Sequence, residues 1–433
     1  MRIAALLTGI LTACSASAAP APAPIPTPAP TQTLISACAG HNAEVEEATA
    51  PPDYVYADWI GCGGIGFARS PDGGKTWGPA VTVPGSADNA AIRPTSWDPA
   101  IAVAANGTVY LSFMHATSTA TYPVVDVSHD HGRTFAHSYS DRQNPGNWGD
   151  RDFLAAAPDG TLYLTWDYAP TAGNLKLLCD KSGSCAFSNG NLNVVMQFSR
   201  DQGRTWSKLV PMQPGYPAAG GDSAPLLVNP RTRDIDVLYE GHQTDPGTFR
   251  LHPGYEYFTS SRDGIAWPAR PSPVHPENGA TALGNWWIDG AFSADAAGNL
   301  YATWDTQAGR TDIGWLSVST DQGRTWSAAT RVTPDGTDQP HIVESAGGRP
   351  GVAYVAWLTS APAQGYALFI RAYDHGKLGP VRQVSARYGK RDIWPGDTFG
   401  IALLPNGQIS LTWGSAARPS RISQIYAATI IMR

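Results

Sequence analysis

Charge is scarce in this chain. Asp, Glu, Lys and Arg make up only 15 % of its 433 residues, against roughly 25 % in an ordinary globular domain. The 30 Lys and Arg form no basic run, and the 36 Asp and Glu outweigh them to a formal charge of -6. Such a chain cannot neutralise a line of phosphates, which excludes nucleic acid as the expected partner. Cysteine is sparse at five residues, and no Cys and His spacing reads as a zinc site. The N-terminal apolar run, Ile3 to Ala13, is too short to span a bilayer as a helix. What is abundant is glycine (45), proline (36) and aromatic side chains (17 Tyr, 15 Trp, 11 Phe). The first two argue against a mostly helical architecture, and the aromatics supply a core that a disordered chain lacks.

Met1-Arg2 followed by Ile3 to Ala13 has the make-up of a secretory h-region, so residues 1–18 are expected to be a signal peptide. Leu11-Thr12-Ala13-Cys14 resembles the bacterial lipobox, which implies lipidation of Cys14; cleavage after Ala16-Ser17-Ala18 is the alternative. Residues 19–32, rich in alternating Ala and Pro, then form an extended tether, and residues 33–433 form one domain. The expected location is outside the cytoplasm, on a bacterial cell envelope, with the membrane reached only through the lipid. In that oxidising setting the remaining cysteines form two disulfides, Cys38 with Cys62 and Cys179 with Cys185.

Internal repetition dominates the rest. One unit recurs five times: Ser70 to Trp77, Ser128 to Phe135, Ser199 to Trp206, Ser261 to Trp267 and Ser319 to Trp326, with serines 58, 71, 62 and 58 residues apart. Each reads as a hairpin turn in which the Asp carboxylate bonds turn amides, the Gly supplies positive φ and the aromatic anchors the turn. Asp374-His375-Gly376-Lys377 looks like a degraded sixth copy. A second unit precedes each turn, an apolar strand, a tight turn and a strand ending in an aromatic. Clear copies are Asp98 to Phe113, Asp152 to Trp166, Asp289 to Trp304 and Asp397 to Trp413; weaker ones are Glu44 to Trp59, Asp222 to Tyr239 and Asp338 to Trp357. These seven hairpins predict seven sheets, and the residues from Thr33 onward divide into about 57 per unit, the size of a four-stranded propeller blade.

On these boxes and their spacing, the chain resembles the sialidase-type Asp-box (BNR-repeat) propellers over nearly everything after the tether. The resemblance implies an all-β propeller of four-stranded antiparallel blades. The hairpin count gives seven blades, and the six usual in that family's sialidases are the alternative. Only one strand, near Gln424 to Ile430, remains after Trp413, so Thr33 to Cys38 is expected to close the last blade as its outer strand, with Cys38 bonded to Cys62 in the first.

The boxes are scaffold, so chemistry is expected at the opposite end, where loops enter the first strands. Trp97, Trp148, Trp286, Trp287 and Trp394 fall there and could stack on sugars or plug the ring. Asp98, Asp152, Asp222, Asp289, Asp338 and Asp397 recur at first-strand entrances, a pattern that favours bonding to neighbouring backbone over catalysis. Groups that break the repeat are the candidates: Arg151, Glu240, His242, Arg310, Asp312, His341, Arg391 and Asp392. Where the family has an Arg-Ile-Pro triplet, this chain has Trp97-Asp98-Pro99. The segment Trp304 to Asp312 resembles the family's strand-end segment, which implies Arg310 as a binding group and Asp312 as acid, with Glu240 beside Tyr255 as the opposing pair. Gly221-Asp222-Ser223 is read as scaffold and not as a serine nucleophile.

The expected function is a secreted, sialidase-like carbohydrate-active enzyme, an exo-acting glycoside hydrolase. The alternative is a non-catalytic propeller lipoprotein that binds glycan or protein on the same face. No cofactor and no metal ligand set is expected; a carbohydrate partner and a monomer are.

Overall fold

The computed structural model describes residues 32–89, 91, 95–140, 147–170, 176–179, 185–188, 193–212, 221–241, 254–275, 290–308, 311–335, 340–361, 365–386, 395–416 and 422–432. They form seven antiparallel blades, each four strands across, and one extra two-stranded hairpin. No helix occurs among the described residues, and none is long and apolar enough to cross a membrane. The inner strands of blades 1 to 7 begin at Ala43, Ser96, Trp148, Gly221, Ala291, Pro340 and Gly400. Each contacts the next, and the last contacts the first, so the ring is closed.

The second strand of each blade explains why the chain folds this way. In Tyr54–Gly61, Leu162–Ala169, Ile235–Gly241 and Ile409–Ser415 nearly every residue is buried, because both faces are covered by neighbouring blades. Trp59, Trp166, Trp304, Trp357 and Trp413 end these runs and are fully buried, as the spacing predicts. Threonine hydroxyls stitch blade to blade: Thr121 donates to the Gly149 carbonyl at 2.8 Å, Thr165 to Ala224 at 2.7 Å and Thr303 to Val343 at 2.7 Å.

The Asp boxes work as turns. Asp72 accepts the Thr76 amide at 2.8 Å and the Thr76 hydroxyl at 2.7 Å, while Ser70 accepts the Gly74 amide at 2.9 Å. The same pattern recurs at Asp130, Asp201 and Asp321. Box glycines also seat each blade on the one before. A Cβ on Gly323, φ +76, would lie 1.9 Å from the Phe258 ring of blade 4, and one on Gly132, φ +74, would lie 2.6 Å from Phe67 of blade 1.

Asp374 to Lys377 is not a sixth box. His375 and Gly376 have φ of 46° and 87°, and Asp374 pairs directly with Lys377. That is a two-residue hairpin turn, whose positive φ at both central positions matches strand twist. The resemblance in sequence reflects the shared need for a left-handed glycine.

Closure is as expected. Thr33–Leu34 pairs with Gln424–Ile430 as the outer strand of blade 7, and Cys38 is disulfide-bonded to Cys62 of blade 1. Asn42 supports the seam: its amide donates to the Ser423 carbonyl at 3.0 Å and its side chain accepts the Trp59 indole N–H at 2.8 Å. Cys179 and Cys185 face each other across the extra hairpin Lys176–Cys179/Cys185–Ser188; their side chains, Cys14 and the leader lie outside the described residues.

Candidate active site

An axial channel of about 710 Å³ opens at the centre of the ring, lined by the inner strands. Its mouth is shaped by a repeated irregularity. The inner strands of blades 1, 2, 3 and 6 lose register at Glu44, at Asp98–Pro99, at Arg151–Asp152 and at His341. Glu44, Asp98 and Arg151 take φ of 52°, 45° and 50° there. In blade 4 the inner strand is split at the same level, with Ser223 at φ 46°. A bulge of this kind re-aims a side chain at the cost of backbone strain, and here it turns Glu44, Asp98 and Arg151 onto the channel wall.

Two tiers of carboxyls result. At the mouth, Glu44, Asp98, Asp150 and Asp397 surround Arg151, which is 7 % exposed. Asp98 accepts the Arg151 backbone N–H at 2.8 Å, and Asp150 accepts the Trp97 indole N–H at 2.6 Å. Farther in stand Glu46, Glu47, Asp152 and Glu344. Below them the wall turns apolar at Ile101, Leu154, Phe292 and Ile401.

Four mouth carboxyls around one guanidinium cannot all be ionised in a low-dielectric wall. Burial, then the Asp397 charge, push Glu44 well above the ordinary carboxyl range, with Arg151 pulling back. Asp98 rises for the same first reason, reinforced by Asp150 and Glu44. Asp397 rises through burial against the pull of Arg151. In the second tier burial lifts Glu47 and Glu344 each to about 8, the Ser410 and Thr412 hydroxyls holding Glu47 back. Glu46 is raised by burial and by Glu344, and Asp152 by burial with Asp150 adding to it. The channel therefore stores carboxylic acid protons near neutral pH.

Of the residues nominated from the sequence, the channel brings together Trp97 and Arg151, and Trp148 opens the strand that carries Arg151. Asp98, Asp152 and Asp397 line it as well. Asp98 bonds neighbouring backbone, as its recurrence implies, and also faces the cavity. Glu240 and Tyr255 lie elsewhere. Glu240 is fully buried in the second strand of blade 4, register partner of the equally buried Glu256, and Tyr255 pairs with Gly241. Glu256 is raised well above its ordinary range by burial and by the Glu240 charge. Asp312 and His341 sit on strands Thr311–Ser319 and Pro340–Gly347 with side chains outside the described residues, as are Trp286, Trp287, Arg310, Arg391, Trp394, His242, Asp289, Asp338 and Asp392. Among the described residues no group of three or more His, Cys, Asp and Glu could hold a metal ion.

Sequence reasoning missed Glu44, Glu46, Glu47, Asp150 and Glu344. A signal existed: blades 1 and 6 gave weak copies of the hairpin unit because carboxyls replace apolar residues on their inner strands.

The BNR/Asp-box repeat family model matches residues 197–208, which contain the box of blade 3. No curated protein matches the chain. Among solved structures, a protein of unknown function from Dyadobacter fermentans is similar with a TM-score of 0.53 at 15 % identity, covering 78 % of this chain and 95 % of that one. An α-L-arabinofuranosidase of Fusarium graminearum, in complex with arabinobiose, is similar with a TM-score of 0.50 at 12 % identity, covering 92 % and 97 %. The NanB sialidase of Streptococcus pneumoniae reaches 0.47 at 14 % identity, covering 94 % and 71 %. At these identities the likeness is one of fold.

Proposed function

We propose that this chain is a carbohydrate-active enzyme, an exo-acting glycoside hydrolase working at the mouth of the axial channel. The observation that carries it is the grouping of Glu44, Asp98, Asp150 and Asp397 around Arg151 beside Trp97. Cleaving a glycosidic bond takes a neutral acid to protonate the leaving oxygen and a carboxylate opposite it. Burial raises both Glu44 and Asp98, the Asp397 charge adding to the first and the Asp150 charge to the second, which suits them to serve as the acid. Asp150, held by the Trp97 indole, is proposed as its carboxylate partner. Trp97 gives a sugar ring a face to pack on. Glu240 and Tyr255, nominated from the sequence, rank behind this set because they do not line the channel, while Asp312, whose side chain lies outside the described residues, stays an alternative acid.

One specific observation favours the binding alternative: Asp98 already accepts a backbone N–H from Arg151, a scaffold task. Secretion and anchoring through Cys14 complete the proposal and would place the channel before envelope or environmental glycans. The test is a screen of the purified protein on aryl glycosides and native polysaccharides. Sugar release that disappears in Asp98→Asn supports the enzyme, and binding without release in any case supports the alternative.

A further inference from the structure

We propose that Thr121 is a positioning residue for the channel mouth: its hydroxyl pins Gly149 and thereby sets Asp150 and Arg151 for the reaction proposed above. The inference rests on that reading and adds a residue from outside the channel lining. Consecutive residues of blade 3 are each tied to a side chain of blade 2. Thr121 donates its hydroxyl to the Gly149 carbonyl at 2.8 Å and accepts the Gly149 amide at 2.6 Å. The Trp97 indole donates to Asp150 at 2.6 Å, and Asp98 accepts the Arg151 amide at 2.8 Å. Elsewhere at the mouth the left-handed residue has a longer tie: Glu44 donates its amide to the Pro395 carbonyl at 3.3 Å, and Ser223 to Asp167 at 3.2 Å.

Gly149 itself explains why the hydroxyl is needed. A Cβ there would lie 2.8 Å from Met114 Cε and 3.3 Å from Trp166 Cδ1, so the close approach of the blades excludes a side chain that could anchor the strand. Glycine also has the freest backbone, and here it leads directly into Asp150 and the left-handed Arg151, φ 50°. The Gly149 N–H belongs to the peptide plane before its Cα, and the carbonyl to the plane after it. One hydroxyl that accepts from the first and donates to the second fixes both planes. Thr121 is itself held at the start of strand Thr121–Ser128, register partner of Ala116, with its amide donated to the Asn147 carbonyl at 3.3 Å. Valine at 121 keeps the shape and removes both hydroxyl bonds. The segment can then relax out of the left-handed turn, and the Asp150 carboxylate leaves the Trp97 indole.

The test compares Thr121→Val, Thr121→Ser and Thr303→Val in the full-length protein. Thr303 makes a comparable hydroxyl bond between blades 5 and 6, to Val343 at 2.7 Å, and reports what losing a stitch does to stability alone. The first readout needs no substrate: the indole N–H resonance of Trp97, assigned with Trp97→Phe. In Thr121→Val it should shift and exchange with solvent roughly tenfold faster, while Thr121→Ser and Thr303→Val keep the wild-type signal. The second is hydrolysis of the aryl glycoside that the wild type cleaves fastest. There Thr121→Val should lower kcat roughly tenfold with KM changed less than about threefold, and Thr121→Ser should restore most of the loss. An unmoved Trp97 resonance in folded Thr121→Val, or the same changes in Thr303→Val, overturns the positioning role. If Thr121→Val does not fold, the wild-type Gly149 amide decides: exchange as slow as that of the buried second strands supports the role, and exchange as fast as that of exposed turns overturns it. A Trp97 resonance that moves as expected in a protein that cleaves no glycoside leaves the pinning of Asp150 standing and overturns the enzyme reading alone.

Discussion

Raising the pH from 5 to 8 should weaken this fold, because the channel holds protons that the unfolded chain would release. Glu47 and Glu344 each keep a proton up to about 8 in the folded protein, against an ordinary 4.5. The sign follows from proton linkage: a carboxyl raised on folding stabilises fully below its unfolded value, and that stability is lost as pH climbs through the folded one. The full interval corresponds to on the order of 5 kcal/mol per group. Channel water and side-chain relaxation lower this, and we take ~2 kcal/mol per group. Together the two groups then remove ~4 kcal/mol between pH 5 and 8, a sizeable part of the ~5–15 kcal/mol that holds a folded protein together. With a urea dependence of ~4 kcal/mol per molar for a chain this long, the unfolding midpoint should fall by ~1 M. Urea titrations at pH 5, 6, 7 and 8 measure it, in parallel with the Glu47→Gln/Glu344→Gln double variant, whose neutral amides should flatten the slope. A wild-type midpoint that stays level or rises over this range, or a double variant that keeps the wild-type slope, would refute the reasoning.

Other perturbations separate scaffold from site. The box carboxyls Asp130, Asp201 and Asp321 are lowered, by turn hydrogen bonds in the main, so their contribution is present above the ordinary carboxyl value and lost as pH falls; with the channel carboxyls losing theirs as pH rises, stability should peak at about pH 4 and decline on both sides. Gly323→Ala puts a Cβ against Phe258 at positive φ and should cost ~2 kcal/mol or more, and an unchanged thermal midpoint would count against the blade-seating role. Asp321→Asn turns one acceptor toward the Thr325 hydroxyl into a donor and should cost ~1 kcal/mol with turnover intact. Replacing both Cys38 and Cys62 by Ser frees a closure spanning 24 residues and should cost roughly 3 kcal/mol, visible as earlier exchange of the Thr33–Leu34 amides.

The fold was legible because propeller blades repeat. Five boxes and seven aromatic-ended hairpins mark turns and buried second strands, both of which depend on local patterns. The closing strand followed from counting, since a ring with one strand short has an open edge. The site was less legible for a physical reason. Channel residues are set by bulges, and Glu44, Asp98 and Arg151 reach the axis only because left-handed backbone turns them inward, which strand alternation does not encode. Glu46 and Glu344 interrupt apolar patterns and so looked like poor repeats, while Asp98 and Asp397 looked too regular to be chemical. Glu240 stood out as a repeat-breaking acid, yet it sits between blades beside Glu256 and away from the channel.

Hydrolysis of glycosides by the full-length protein, compared with Asp98→Asn at matched folding, tests most directly whether the channel mouth is a catalytic site. Removal of a general acid should lower turnover on a poor-leaving-group substrate by roughly 10² to 10⁴, with less effect on an activated aryl glycoside that needs no protonation. Equal turnover of the two proteins on the poor-leaving-group substrate, or no release of sugar from any glycoside or polysaccharide by the wild type, would contradict a catalytic mouth.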